Sequence, residues 1–215
     1  MSGVNEVSES VMENKAKRHP NLERAEARRQ QVLTAAAECF RRKGYHSASM
    51  AEISKTAGMS PGHIYNYFVS KDAIIEAIIE QQMVEMFEVF ASLRAKPGML
   101  IDVMITGASE GVCNKLDPAL ASLKLEMLAE TARNEKIAGM LRCVDSQART
   151  RFLAILQSER SLIKHEPEAQ LQARITVMFS LFDGLLIRQA LQPGLTVEQV
   201  MTALAPTLRT LLSPF

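Results

Sequence analysis

Residues 44–72 read GYHSASMAEISKTAGMSPGHIYNYFVSKD, and this stretch decides the fold. Ser49-Met50-Ala51-Glu52 has the Ser-x-x-Glu form of a capping box, in which hydroxyl and carboxylate each satisfy an orphan amide, and it predicts a short helix running to Ala57. Gly58 ends that helix. Ser60-Pro61 is a second start, because Ser caps free amides and Pro suits the first helical position. The second helix is expected to reach Phe68, with Ser70 capping a third that begins at Lys71. Two short helices joined by a Gly-containing turn of about three residues form a helix-turn-helix.

On a helical wheel for residues 61–68, Ile64 and Phe68 point the same way and make the buried side. Asn66 lies opposite, Gly62 and His63 close beside it, and Tyr65 and Tyr67 on the flanks. The exposed side then offers an amide, an imidazole, two phenols and a glycine that lets another surface approach the backbone. The helix start favours phosphate, and Lys71 opens the next helix one turn away. This is the pattern of a DNA-reading helix between phosphate-gripping helix starts. Short capped helices also occur in proteins that never meet DNA, so the local pattern leaves both readings open.

The same stretch resembles the DNA-binding signature of the TetR family of bacterial one-component transcriptional regulators. The matching features are Gly44-Tyr45, the Ser49 helix start, Ala51-Glu52-Ile53, Ala57-Gly58-Met59-Ser60, Gly62, Ile64-Tyr65, Tyr67-Phe68 and Ser70-Lys71-Asp72. The resemblance is dense over residues 24–75, and beyond them it rests on length and helical content. It implies an all-α homodimer of about nine helices per chain. Three form an N-terminal helix-turn-helix DNA-binding domain, and the rest form a C-terminal ligand-binding and dimerisation domain. It implies a repressor on double-stranded, (pseudo)palindromic operator DNA, released by a small apolar or amphipathic effector. Carried over residue by residue, Ser49, Met50, Ser60, Gly62, Tyr65, Tyr67 and Lys71 match positions that touch DNA in the family. Position 63, here His63, is where members differ. Asn66 joins this set from the wheel alone. Met50 and Pro61 depart from the hydroxyl and polar residues common at their positions, and each removes a possible phosphate bond.

Outward from this core, residues 21–43 carry an apolar stripe at helical spacing, Val32, Leu33, Ala36, Ala37 and Phe40, closed by Arg41-Arg42-Lys43 and Gly44. Residues 1–20 are polar and read as a flexible basic arm. Residues 15–43 hold nine Lys+Arg and three Asp+Glu, while the net charge of the whole chain is only +1. That asymmetry points the N-terminal part at a polyanion. The domain reading is therefore arm 1–20, helix-turn-helix domain 21–72, and ligand-binding and dimerisation domain 73–215.

Beyond Lys71 the spacing predicts helices over 71–95, 98–116, 117–133, 136–164, 167–191 and 196–212, with a second capping-box form at Thr196-x-x-Gln199. The apolar sets of the last two are Leu171, Ile175, Met178, Phe179, Phe182, Leu185, Leu186 and Val197, Val200, Met201, Leu204, Leu208, Leu211. They suit half of an intersubunit four-helix bundle or an intrachain core. Residues 73–165 are expected to enclose the effector site. Met104 and Met127 supply adaptable apolar surface, and Glu126 and Glu130, with Arg133, are polar anchors if they share a helix face. A solvated ion-pair face is the plainer reading of those charges.

Other functions find little support. Residues 107–111 (GASEG) match the G-x-S-x-G elbow of hydrolases, yet Leu100, Val103, Met104, Gly107, Ala108 and Gly111 step as a helical stripe, and no strands surround them. Four histidines and three cysteines (Cys39, Cys113, Cys143) show no metal-ligand spacing, so no metal or cofactor is expected. A purely architectural DNA-binding protein needs no domain of the size that follows residue 72. An odd cysteine number at wide spacings suits reduced thiols, acidic residues stand where a signal peptide would be apolar, and no stretch suits a membrane span. The expectation is a cytoplasmic, non-enzymatic regulator.

Overall fold

A computed structural model describes the backbone of residues 3–214 and the side chains of residues 22–214. Nine helices are present among the described residues: α1 (Gly3–Lys43), α2 (Met50–Thr56), α3 (Pro61–Ile64), α4 (Lys71–Ala95), α5 (Leu100–Leu116), α6 (Pro118–Glu130), α7 (Glu135–Leu156), α8 (Glu168–Leu191) and α9 (Val197–Leu211). The described residues contain no strand. They form two compact units, Met1–Ala77 and Ile78–Phe215, so the first two turns of α4 belong with the helix-turn-helix. The backbone of the stretch expected as an irregular arm continues α1 as helix from Gly3. Its basic side chains, Lys15, Lys17 and Arg18, lie outside the described residues.

In the first unit, α1 packs on α2 and α2 on α3. The α1 stripe buries Val32, Leu33, Ala36, Cys39 and Phe40, and Tyr45 meets Phe40 edge-on at 5.3 Å. Gly44 leaves the helix at φ 80°, a conformation that costs other residues a Cβ clash. Both halves of the Ser49–Glu52 capping box are formed. Gly58, at φ 63°, turns the chain into α3, and Ser54 Oγ ties the turn by donating to Met59 O at 2.6 Å.

The second helix of the motif is shorter than its pattern predicts. It runs only over Pro61–Ile64, and residues 65–67 continue as a turn. There the amides of Asn66 and Tyr67 bond three residues back, to His63 O and Ile64 O, before Phe68 N returns to Ile64 O. A tightened last turn of this kind still places Ile64 and Phe68 together inside.

In the second unit α5 is the central helix, packed on α8 and α9. Leu100, Ile101, Met104, Ala108, Val112 and Leu116 join Phe152, Ile155, Leu171, Ile175, Met178, Leu204 and Leu208 in one apolar core. The G-x-S-x-G stretch is the middle of this helix. Its glycines are contact points: a Cβ on Gly111 would stand 3.1 Å from the Phe182 ring, and one on Gly107 would stand 3.4 Å from Leu93. Asp117 caps α6 ahead of Pro118, Asn134 caps α7, and the Thr196–Gln199 capping box opens α9.

A further departure is α7, which stops at Leu156 where the periodicity extends to 164. No Gly or Pro marks the stop. Arg160 instead turns its guanidinium onto the carbonyls that end α4, bonding Leu93 O at 2.7 Å, Arg94 O at 3.2 Å, Gly98 O at 3.3 Å and Lys96 O. One cation thus satisfies several orphan acceptors of a helix end. The apolar positions of α8 and α9 are also divided differently from a simple interface. Leu171, Ile175, Met178, Leu186, Leu204 and Leu208 are buried within the chain, and Phe182 packs on Gly111.

Candidate nucleic-acid interface

The exposed face of the motif is built on three buried anchors. Ile53, Ile64 and Phe68 are at most 4% exposed, and they hold α2, α3 and the following turn against α1. Arg29 of α1 lies over the Phe68 ring at 4.9 Å. Gln31 donates to Ala57 O at 2.6 Å, pinning the end of α2. On the outer side Gly62, His63, Tyr65 and Asn66 are exposed, and Tyr67 is partly so. A Cβ on Gly62 would meet nothing within 4 Å, so the absence of a side chain there serves no packing need inside the chain.

Two of the expected contact residues have structural duties as well. Ser60 Oγ accepts from His63 N at 3.3 Å as the cap of α3. Ser49 Oγ accepts from Glu52 N at 3.2 Å and faces the Glu52 carboxylate, which also pairs with Lys43. The Lys43 bond, then the Ser49 amide, hold the Glu52 carboxyl below its usual pKa. Met50 is partly buried at the start of α2.

Lys71 is engaged within the chain. Its ammonium donates to Tyr45 O at 2.6 Å and His46 O at 3.1 Å, and lies 4.4 Å from the centre of the Tyr45 ring. The Tyr45 hydroxyl in turn bonds the Asp72 carboxylate. The start of α4 is therefore latched to the loop that precedes α2, a pairing across 26 residues that local spacing does not reveal. His63 and Tyr67 form a second coupled pair, with ring centroids 5.4 Å apart.

A short capped helix with a solid inner side and a hydrogen-bonding outer side, following a second capped helix across a Gly turn, is helix-turn-helix geometry. The family model described as "Bacterial regulatory proteins, tetR family" matches residues 32–78, which hold this whole assembly. Residues 32–78 are a TetR-family DNA-binding segment. It is 35% identical to the HTH-type transcriptional regulator UidR of Escherichia coli K12 over 120 residues, which are 55% of this chain and 59% of that protein. It is 27% identical to the HTH-type transcriptional regulator BetI of Stenotrophomonas maltophilia over 169 residues, 78% of this chain and 83% of that one. Among solved structures it is similar to Salmonella enterica GusR, with a TM-score of 0.70, 26% identity, and coverage of 86% of this chain and 95% of that chain.

The residues nominated for an effector fall in different settings. Met104 on α5 is part of the apolar core, and Met127 on α6 is fully buried. Glu130 is buried at the end of α6, and Glu126 one turn earlier is partly so. Arg133 lies beyond α6 and is exposed. An open cleft of about 320 Å³ lies elsewhere, where Cys113, Asn114, Leu116, Asp117 and Leu120 face Leu195, Thr196 and Val197. Among the described residues no His, Cys, Asp and Glu group is arranged to hold a metal, and no helix is long and apolar enough to cross a membrane. One charged residue absent from the sequence reading stands out. Lys124 sits mid-helix on α6, partly buried, and burial first, then the Lys115 ammonium, lower its pKa. An isolated lysine in an otherwise ordinary amphipathic segment carries no sequence signal of this.

Proposed function

We propose that this chain is an effector-responsive transcriptional repressor that binds operator DNA as a symmetric homodimer. The observation that carries the reading is the outer face of α3 and its turn, where Gly62, His63, Tyr65 and Asn66 stand exposed on a base made rigid by Ile64 and Phe68. His63 and Asn66 read base edges in the major groove, while Ser49, Ser60, Tyr65, Tyr67 and the backbone at Gly62 hold phosphates and set register. Met50, with no hydroxyl, packs at the α2 start without a hydrogen bond to phosphate. Lys71 adds its charge to the phosphate side while holding the loop before α2. The basic residues among 1–20 extend the phosphate contact. The regulators UidR and BetI, by their names, support the transcriptional role.

The dimer forms through the outward sides of α8 and α9. Ala173, Val177, Ser180, Gly184, Ile187 and Leu191 make an uncharged stripe along α8, with Val177, Ile187 and Leu191 among the exposed large apolar side chains of the chain. On α9 the outward residues Thr202, Ala203, Pro206, Thr207 and Thr210 are also uncharged. Two such helices from each protomer suit a four-helix bundle about a twofold axis. A small apolar or amphipathic effector bound within residues 78–215 favours a state whose two reading segments no longer match successive major grooves, about 34–36 Å apart.

Selection from random duplexes with the purified full chain, read by sequencing, tests this. The expected product is one (pseudo)palindromic sequence whose affinity falls steeply with salt. Binding without sequence preference or salt dependence would sink the reading. Deleting residues 1–20 is expected to weaken affinity and flatten its salt dependence.

A further inference from the structure

Two neighbouring arginines of α1 meet the helix-turn-helix in different ways. Arg29 lies over the ring of the buried Phe68. Arg28 is exposed, and its Nη1 donates to Gln31 Oε1 at 2.8 Å, one turn along the same helix. The other end of that amide, Gln31 Nε2, donates to Ala57 O at 2.6 Å. Ala57 is the C-cap of α2, so its carbonyl is one of the acceptors that a helix end leaves over. The partly buried Gln31 amide is thus used at both ends. It fixes the Arg28 guanidinium to the turn that leads through Gly58 to Ser60, the cap of α3.

Elsewhere in this unit the cations that make polar contacts are spent within the chain. Arg42 faces Glu38 at 3.8 Å, Lys43 pairs with Glu52, and Lys71 holds two loop carbonyls. Arg28 differs: no described carboxylate pairs with it, and its polar contact is a neutral amide. An amide orients a guanidinium without cancelling its charge, and it leaves the remaining N–H groups of the fork for an acceptor outside the chain. A planar fork held in one orientation suits the oxygens of a phosphate. We propose that Arg28 grips a backbone phosphate of the duplex that α3 reads, and that Gln31 is the residue that positions it. This assignment rests on the DNA-binding reading above and adds to it a contact from α1. A phosphate contact sets register and carries no sequence preference of its own.

The test uses the full chain, with Arg28→Gln, Arg28→Lys, Gln31→Met and the double variant Arg28→Gln/Gln31→Met beside the wild type. The probes are two duplexes of equal length, one carrying the sequence recovered by the operator selection and one a scramble of it. Affinity is measured on both across a range of salt concentrations. Arg28→Gln should bind both duplexes about tenfold more weakly, with the log–log salt slope reduced by about 1 and the preferred sequence unchanged. Its denaturant midpoint should match the wild type, because the side chain is exposed. Arg28→Lys should keep the wild-type slope. Gln31→Met should weaken binding to both duplexes by a smaller factor and add no loss in the double variant, since nothing is left to position once the guanidinium is gone. Wild-type affinity and slope in Arg28→Gln, or a slope in Arg28→Lys as low as in Arg28→Gln, would overturn the phosphate contact. A changed preferred sequence in Arg28→Gln would overturn it in favour of a base contact. A Gln31→Met loss that recurs in full in the double variant would overturn the positioning role. Each of these outcomes is read against a wild type that selects its operator, whereas a wild type without selective binding overturns the regulator reading itself and this contact with it.

Discussion

The imidazole Nε2 of His63 lies 3.3 Å from the hydroxyl of Tyr67, so the side chain proposed to read bases is in contact with the one proposed to hold phosphate. Their rings also meet at a tilt of 40°. The two roles are therefore coupled through one contact, and replacing either residue disturbs both.

His63→Ala is expected to cost about 1–3 kcal/mol of operator affinity and relax preference at one position in each half-site. Tyr67→Phe keeps the ring and removes the hydroxyl, so it should broaden preference at that same position. In a double-mutant cycle the combined loss should be smaller than the sum. Additive losses, with the Tyr67→Phe preference unchanged, would show that the contact does not orient the imidazole.

Gly62 separates folding from recognition. A methyl group there meets no atom of the chain within 4 Å. Gly62→Ala should therefore leave unfolding unchanged or stabilise it by up to about 1 kcal/mol, the difference in helix preference. Operator affinity should nonetheless fall, because the methyl group occupies the space where DNA approaches the backbone. Full operator affinity in Gly62→Ala would remove this position from the interface.

Lys71→Ala withdraws an ammonium from two loop carbonyls. Bonds to a charged donor contribute about 1.5–3 kcal/mol, so denaturant titration should show a loss of that size. Binding should weaken alike on all duplexes, and the log–log salt slope should fall by about 1 if the ammonium also meets a phosphate. An unaltered slope together with reduced stability would confine Lys71 to the latch.

The interface proposed on α8 and α9 can be told apart from the core beneath it. Ile187 is 51% exposed within the chain, whereas Leu204 is 7% exposed. Ile187→Asp should yield a folded monomer that has lost most operator affinity, because an unpaired charge enters an apolar seam. Leu204→Glu should unfold the second unit itself. Sedimentation with circular dichroism checks both, and a dimeric Ile187→Asp would place the interface on another face.

Most helix starts, the buried side of α3, and the helical nature of the GASEG stretch are legible in the sequence, whereas the ends of α3 and α7 are not. The legible features rest on local physics. A capping hydroxyl, a glycine at positive φ and a stripe repeating every three or four residues each act within a turn or two of themselves. What tertiary structure alone decided depends on partners far apart in the chain. Arg160 ends α7 early because carbonyls 62 to 67 residues before it accept its guanidinium. Lys71 became a latch through carbonyls 25 and 26 residues away. The apolar residues of α8 and α9 had two possible destinations in the sequence, and packing against α5 assigned Leu204 and Leu208 to the chain's own core. Lys124 shows the same limit most plainly. Its neighbours on α6 give no sign of it, and only the packing of α6 on the helices around it leaves this lysine partly buried. Desolvation depends on which surfaces come together, and that is a property of the folded chain.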